Sequence, residues 1–296
     1  MKELIVISGK GGTGKTSIVA AFAALAKNAV LADCDVDAAD LHLVLEPKVK
    51  QTNDFSGGKQ ASIITEKCIG CGKCQDMCRF DAIDFNGEGN DVVDKTFTID
   101  PISCEGCKVC VEFCPMDAIE FNDHTNGRWF VSDTRFGPMV HAKLGIAEEN
   151  SGKLVTVIRQ EARRIAQEQK REVLIVDGSP GIGCPVIASI TAADLVLVVT
   201  EPTLSGKHDL DRVSKLTASF GIETLVCVNK ADVNPQITDQ IGEDAQKRGL
   251  KVIGKIAYDE AFTKAQIIKA SVVEYTGGAI TEQIKALWRQ VTYALG

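Results

Sequence analysis

The chain has 296 residues, 45% apolar and 25% charged, the composition of a folded globular protein and not of a disordered or fibrous one. It has no apolar run of the about eighteen residues that a membrane span needs, and its net charge of −7 runs against a nucleic-acid-binding surface. Eleven cysteines, an odd number, in a chain that starts on a strand and not on a signal peptide predict metal ligation in a cytoplasmic protein, not disulfides. Leu4-Ile5-Val6-Ile7 predicts a buried strand over 4–8, and the residues from Lys15 a helix over 15–27. Between them lies Gly9-Lys10-Gly11-Gly12-Thr13-Gly14-Lys15-Thr16, with Ser17 next in line. In a strand–loop–helix context this G-x-x-x-x-G-K-[ST] pattern is a phosphate-binding P-loop. Its glycines let backbone N–H groups turn toward phosphates, and the helix start adds positive dipole charge. Lys15 is expected on the β- and γ-phosphates and Thr16 on Mg²⁺.

A second strand, Ala29–Ala32, ends in Asp33-Cys34-Asp35, carboxylates at the strand end where open α/β sheets bind ligands. Residues 46–62 are polar, with Pro47 and Gly57-Gly58, and read as a linker. From Trp129-Phe130-Val131 an α/β alternation resumes. A helix is predicted over 151–169, capped by Asn150 or Ser151. The strand Val173–Asp177 follows, with its turn Gly178-Ser179-Pro180-Gly181. Further strands read at 194–200, 224–229 and 252–257, with helices near 205–219 and 236–248. A terminal helix near 279–294 carries Ile280, Ile284, Leu287, Trp288 and Val291 at core-packing spacing. Strands alternating with helices predict a mostly parallel, doubly wound α/β sheet.

The stretch between strands two and three differs in chemistry. Residues 60–128 hold 13 Asp/Glu against 6 Lys/Arg, which accounts for the whole net charge. They also hold an internal repeat offset by 36 positions: Cys68, Cys71, Cys74 and Cys78 recur as Cys104, Cys107, Cys110 and Cys114, each followed by Asp-Ala-Ile. The predicted organisation is therefore a P-loop domain in two parts, 1–58 and 129–296, interrupted by a small α+β module over 59–128. The doubled C-x₂-C-x₂-C-x₃-C run resembles the bacterial two-cluster ferredoxins. That resemblance implies one [4Fe–4S] cluster on Cys68, Cys71, Cys74 and Cys114, and another on Cys104, Cys107, Cys110 and Cys78. Arg79 stands where the second run has Pro115.

The P-loop with its extra Lys10, Asp33-x-Asp35, and Asp177 with Gly178-Ser179-Pro180-Gly181 resemble the deviant-Walker ATPases of the MinD/ParA/Mrp group, relatives of the nitrogenase iron protein. The resemblance covers 1–45 and 129–296. It implies a P-loop NTPase fold, ATP and Mg²⁺ as ligands, and a homodimer closed across the nucleotide by Lys10. It implies Asp33 near the Mg²⁺ shell, Asp35 orienting the attacking water, Asp177 reaching Mg²⁺, and Asn229 facing the purine. Asn229-Lys230-Ala231-Asp232 is also a guanine-reading pattern, but the Lys10-type loop belongs to ATPases. Cys184 lies seven residues past Asp177, where the nitrogenase iron protein has a cluster ligand. The comparable stretch Glu148–Lys153 holds no partner cysteine. Three functions follow as expectations: ATP-dependent electron transfer to a redox partner, Mrp-type cluster assembly or carriage, and redox-sensing regulation.

Overall fold

The computed structural model describes residues 1–145 and 151–296. In chain order the first elements are β1 (Lys2–Ser8), α1 (Lys15–Leu25), β2 (Ala29–Asp33), α2 (Leu41–Leu45) and β3 (Lys48–Phe55). Next come β4 (Gly58–Ile63), a 3-10 turn at Thr65–Lys67, α3 (Lys73–Met77), β5 (Ile83–Glu88), β6 (Lys95–Ile99), α4 (Val109–Glu112) and β7 (Ile119–His124). The chain continues through β8 (Gly127–Thr134), β9 (Gly137–Leu144), α5 (Ser151–Glu168), β10 (Val173–Pro180), α6 (Cys184–Ile190) and β11 (Leu195–Thr200). It ends with α7 (Leu204–Ser219), β12 (Thr224–Asn229), α8 (Pro235–Lys247), β13 (Lys251–Ile256), α9 (Ala261–Ile267), α10 (Val272–Tyr275) and α11 (Ala279–Leu295).

Two compact units result. The first gathers Met1–Asn53, Trp129–Lys143 and Ser151–Gly296, and the second centres on Asp54–Arg128. The first is built on a nine-stranded sheet in the order β13-β12-β11-β1-β10-β2-β9-β8-β3. Every pair from β13 through to β9 is parallel. The apolar runs explain why: Leu4, Ile5, Val6 and Ile7 of β1 and Leu174, Ile175 and Val176 of β10 have no exposed surface, as strands covered on both faces require. Helix α1 is apolar on all sides and buries Ile18, Val19 and Phe22. The Phe22 ring meets Trp288 of α11 at 4.8 Å between centroids, so the terminal helix belongs to the core, as its spacing predicts. None of the described helices is long and apolar enough to cross a membrane.

A buried ion triad pins the helices to this sheet. Glu3 on β1 accepts from Arg159 at 2.8 Å and from Arg163 at 2.5 Å, and Arg159 also donates to the carbonyls of Ala188 and Thr191. Removing Glu3 costs about 3–5 kcal/mol, because it leaves the buried Arg159 charge without a counter-ion.

The second unit contains two antiparallel pairs, β4 with β7 and β5 with β6. The 36-residue repeat is written into its backbone. Gly70 and Gly106, Gly72 and Lys108, and Asp81 and Asp117 all take positive φ at matching positions. Ala61, Ile83, Phe97, Ala118 and Ile119 form its core together with Cys68 and Cys74.

Several expectations need correction. Residues 46–62 are not a linker: they hold β3 and β4. Strand β3 ends the sheet and all but its last side chains face solvent, so it has no apolar alternation to read. The second unit therefore leaves the sheet after β3 and not directly after β2, and the chain returns through β8 and β9, two consecutive strands joined by residues 135–136. Strand β10 runs on to Pro180, through most of the predicted turn Gly178-Ser179-Pro180-Gly181, and helix α6, which was not predicted, follows with Pro185 in its first turn, where a missing N–H is harmless. Helices α9 and α10 are likewise additions. The proposed cap Asn150 lies outside the described residues.

Two of the four histidines meet. His141 on β9 stacks on Phe130 at 5.1 Å and on His42 at 6.5 Å, and its Nε2 pairs with the Ser132 hydroxyl at 2.9 Å. Burial, with a smaller contribution from His42, lowers its pKa to about 4. The unfolded chain protonates its histidine near pH 6.5, so it takes up the proton first and stability falls as pH falls between those values. The His141→Gln variant is expected to lose about 2 kcal/mol less than wild type between pH 7 and pH 5. Urea midpoints at the two pH values would reveal it, and parallel losses in the two proteins would refute it.

Candidate functional site

The carboxyl ends of β1, β2 and β10 meet at one edge of the sheet. β10 lies between the other two, with Asp177 opposite Asp33 and Val6 opposite Asp177. The glycine loop leaves β1 here and enters α1 through Gly14, whose φ of 87° is left-handed. A Cβ at Gly14 would lie 2.3 Å from Asn229 Nδ2, so only glycine leaves room for that amide. No side chain caps α1, so its first N–H groups are kept for another acceptor.

The sequence-derived residues assemble around Lys15. Its ammonium is 2.5 Å from Asp177 Oδ1 and 3.3 Å from Asp35 Oδ2. Asp33 is fully buried and accepts from the backbone N–H groups of Asp35 and Leu41 at 3.2 and 3.3 Å. Burial opposes the charge on Lys15, but Asp177 and Asp35 outweigh it and raise the pKa. Burial raises the pKa of Asp33 well above the usual carboxylate value and raises that of Asp35, with the Asp177 charge adding to it and Lys15 opposing it. In this arrangement Lys15 is held by the carboxylates expected around Mg²⁺. Ser17 accepts from Gln266 Nε2 at 2.9 Å. The Ser179 hydroxyl donates to the Cys34 carbonyl at 2.6 Å and so ties the ends of β10 and β2.

A second set of contacts braces the loop from β11 and β12. Asn229 donates to the Thr13 carbonyl at 2.8 Å, and Lys230 donates to the Gly12 carbonyl at 3.0 Å. Asn229, expected against the purine, thus has its amide N–H on the loop. Asn229 Oδ1 and Thr13 Oγ1 are buried without hydrogen-bond partners among the described residues. Lys10 reaches Glu201 at 2.6 Å. Asp232 accepts from the Tyr258 N–H at 2.6 Å. Glu201 was not singled out in the sequence, although it shares the signal that marked Asp33 and Asp177, a carboxylate just past a buried strand.

In the second unit the cysteines surround two hollows. One is lined by Cys104, Cys107, Cys110 and Cys78, the other by Cys68, Cys71, Cys74 and Cys114. The fourth thiol of each run faces the other run's hollow, as the ferredoxin spacing implies. Among the described residues no three His, Cys, Asp or Glu side chains converge on a single-ion site. A tetrahedral zinc would need its thiolates closed to about 2.3 Å from one centre. Thiols spread around a hollow suit a polynuclear iron–sulfur cluster instead. Burial pushes the Cys74 thiol up to about 11 and raises Cys110, so a metal must displace those protons. Asn90 donates to the Cys68 carbonyl at 2.8 Å and fixes the backbone there. Arg79 is exposed.

The cysteines outside these sets separate by burial: Cys34 and Cys227 are buried, and Cys184 is exposed at the start of α6. Burial pushes the Cys227 thiol up to about 12, as for a packing residue. Residues 148–150, weighed as a counterpart to Cys184, lie outside the described residues.

Known proteins resemble this chain in sequence and in fold. A family model for a 4Fe-4S dicluster domain matches residues 67–134. The uncharacterized protein MJ0578 of Methanocaldococcus jannaschii is 38% identical over 235 residues, covering 78% of this chain and 79% of the relative. The uncharacterized ATP-binding protein MJ0823 of the same organism is 30% identical over 140 residues, 45% of this chain and 53% of that one. The solved structure of the septum site-determining protein MinD from Pyrococcus horikoshii, complexed with Mg-ADP, aligns over 100% of this chain and 97% of its own. Its TM-score is 0.58 at 16% identity, a likeness of fold.

Gly106 offers a direct test of the cysteine loops. Its φ is +60°, and a Cβ there would lie 2.2 Å from the Lys59 carbonyl oxygen, a backbone atom that cannot give way cheaply. Gly106→Ala is expected to lose about half of the iron and acid-labile sulfide, the share expected on the Cys104 set if each quartet holds one cluster. Full iron content in the variant would contradict this account of the loop.

Proposed function

We propose a function from one premise: the chain belongs to the same family as MJ0578 and is a P-loop ATPase of the MinD/ParA type that carries a 4Fe-4S dicluster domain. On this reading it binds and hydrolyses ATP, and nucleotide-driven pairing of two copies governs electron transfer through two [4Fe–4S] clusters to a redox partner. The observation that carries it is the coexistence in one chain of a lysine–carboxylate centre on a P-loop and two hollows, each lined by four thiols. Likeness to an ATP-binding relative supports ATP as the nucleotide.

The residues then divide the work. Gly9 to Ser17 cradle the triphosphate, and Lys15 leaves Asp177 and Asp35 for the β- and γ-phosphates. Thr16, Asp33, Asp35 and Asp177 provide the oxygens for Mg²⁺, which supplies charge neutralisation between phosphates when bound. Asp35 is 8% exposed, against 0% for Asp33 and 1% for Asp177, which favours it as the carboxylate that orients the attacking water. Lys10 serves the nucleotide of a second copy. Asn229 lies under the base side of the loop. The clusters, when bound, supply one-electron carriers of low potential. The chain contributes eight thiolates and an acidic surface, which complements a basic face on a redox partner. The exposed thiol of Cys184, outside both quartets, supports cluster delivery of the Mrp type as a second reading.

Lys10→Ala is expected to bind ATP as wild type does, to stay single in sedimentation with ATP, and to hydrolyse it roughly ten-fold more slowly or worse. A variant that pairs and turns over normally would end the pairing role. Coupling itself is read by EPR of the reduced protein with ATP, with ADP and without nucleotide. The reading expects a nucleotide-dependent shift in cluster potential or in the rate of oxidation by an acceptor, and identical behaviour in all three states would sink it.

A further inference from the structure

Glu201 stands at the carboxyl end of β11, outside every motif of the P-loop signature. Its side chain is 14% exposed and uses both oxygens. Oε1 accepts from Lys10 at 2.6 Å, and Oε2 accepts from Lys230 at 3.0 Å. Lys10 also donates to Ser205 Oγ at 3.0 Å and to Thr203 Oγ1 at 3.4 Å. An ammonium has three donors. All three of Lys10 are therefore taken within its own chain. Burial opposes the charge on Glu201, but the hydrogen bonds from Lys10 and Lys230 outweigh it and hold the carboxyl below its usual range.

We propose that Glu201 is a positioning residue that keeps Lys10 docked in its own subunit until a nucleotide competes for it, and so sets the ATP concentration at which two copies pair. This rests on the reading above that Lys10 serves the nucleotide of a second copy. Docked and undocked Lys10 form a two-state equilibrium, and only the undocked state can pair. The apparent affinity for pairing is reduced by the undocked fraction. The triphosphate held by a second copy competes with Glu201 for the Lys10 ammonium. Lys230 retains the Gly12 carbonyl when Glu201 lets go, so the loop keeps its brace while Lys10 is released.

Sedimentation with increasing ATP, on wild type, Lys10→Ala and Glu201→Gln, tests this. Glutamine keeps the shape and one acceptor and removes the charge. Glu201→Gln is expected to pair at roughly five-fold lower ATP, with single-chain ATP affinity at low protein concentration unchanged. Added salt is expected to move the wild-type midpoint toward that of the variant and to move the variant less. A Ser205→Ala variant, which removes one hydroxyl that holds Lys10 without altering charge, is expected to shift the same way. If wild type fails to pair with ATP, or Lys10→Ala pairs as well as wild type, the underlying reading falls. If those controls behave and Glu201→Gln pairs at the wild-type ATP concentration, the role of Glu201 alone is overturned. It is overturned too if Glu201→Gln loses ATP affinity together with pairing, since Glu201 would then be a brace of the loop.

Discussion

One ammonium group holds the nucleotide edge of the sheet together. Asp33 and Asp177 are opposite each other on neighbouring parallel strands, Asp35 follows two residues later, and all three are buried or nearly so. Carboxylates this close and this dry repel and lose their charge unless a cation stands among them. Lys15 supplies it from the first residue of α1. The loop, the helix it feeds and the strands β2 and β10 are thereby tied to one electrostatic centre. A divalent cation entering with a nucleotide would take over that neutralising role, which frees Lys15 for phosphate without leaving the carboxylates uncompensated.

The other flank of the loop follows a different logic. Asn229 and Lys230 grip backbone carbonyls of Thr13 and Gly12, and these contacts do not depend on the state of Lys15. The loop is therefore clamped by neutral and charged donors on the β12 side and poised by ion pairs on the β10 side. Rigid positioning and exchangeable charge sit within a few residues of each other, as phosphoryl transfer requires of a site that works by placement and electrostatics.

How much of this was legible in the sequence depended on how local each signal is. The P-loop needs only one strand, one loop and one helix, so Gly9 to Thr16 declared it in a single run. The exchange of Cys78 and Cys114 between quartets was legible because the repeat is exact in spacing. Strand β3 was not, since a polar edge strand carries no alternation and takes its identity from a neighbour's hydrogen bonds. Helix α6 was hidden behind glycines and a proline that serve its first turn. Glu201 was missed because its meaning lies in the approach of Lys10 and Lys230, about 190 and 30 positions away in the chain. The capture of Lys15 by Asp35 and Asp177 was likewise invisible: the motif names the partners Lys15 meets in a nucleotide complex, not those it takes without one.

The place of β10 in the sheet has a consequence for the order of events on the ribosome. β1 and β2 are made first, yet they do not touch; β10, more than a hundred residues later, is the strand that joins them. The parallel sheet cannot close until residues 173–180 have been synthesised. The stretch Asp54–Arg128 is complete well before that. During synthesis the cysteine-bearing unit is free to collapse, and to take up metal, while the apolar strands on its N-terminal side still await their central partner. Vectorial synthesis thus gives the smaller unit a head start, and leaves Leu4–Ile7 and Ala29–Ala32 as the segments most in need of shielding from aggregation in the interval.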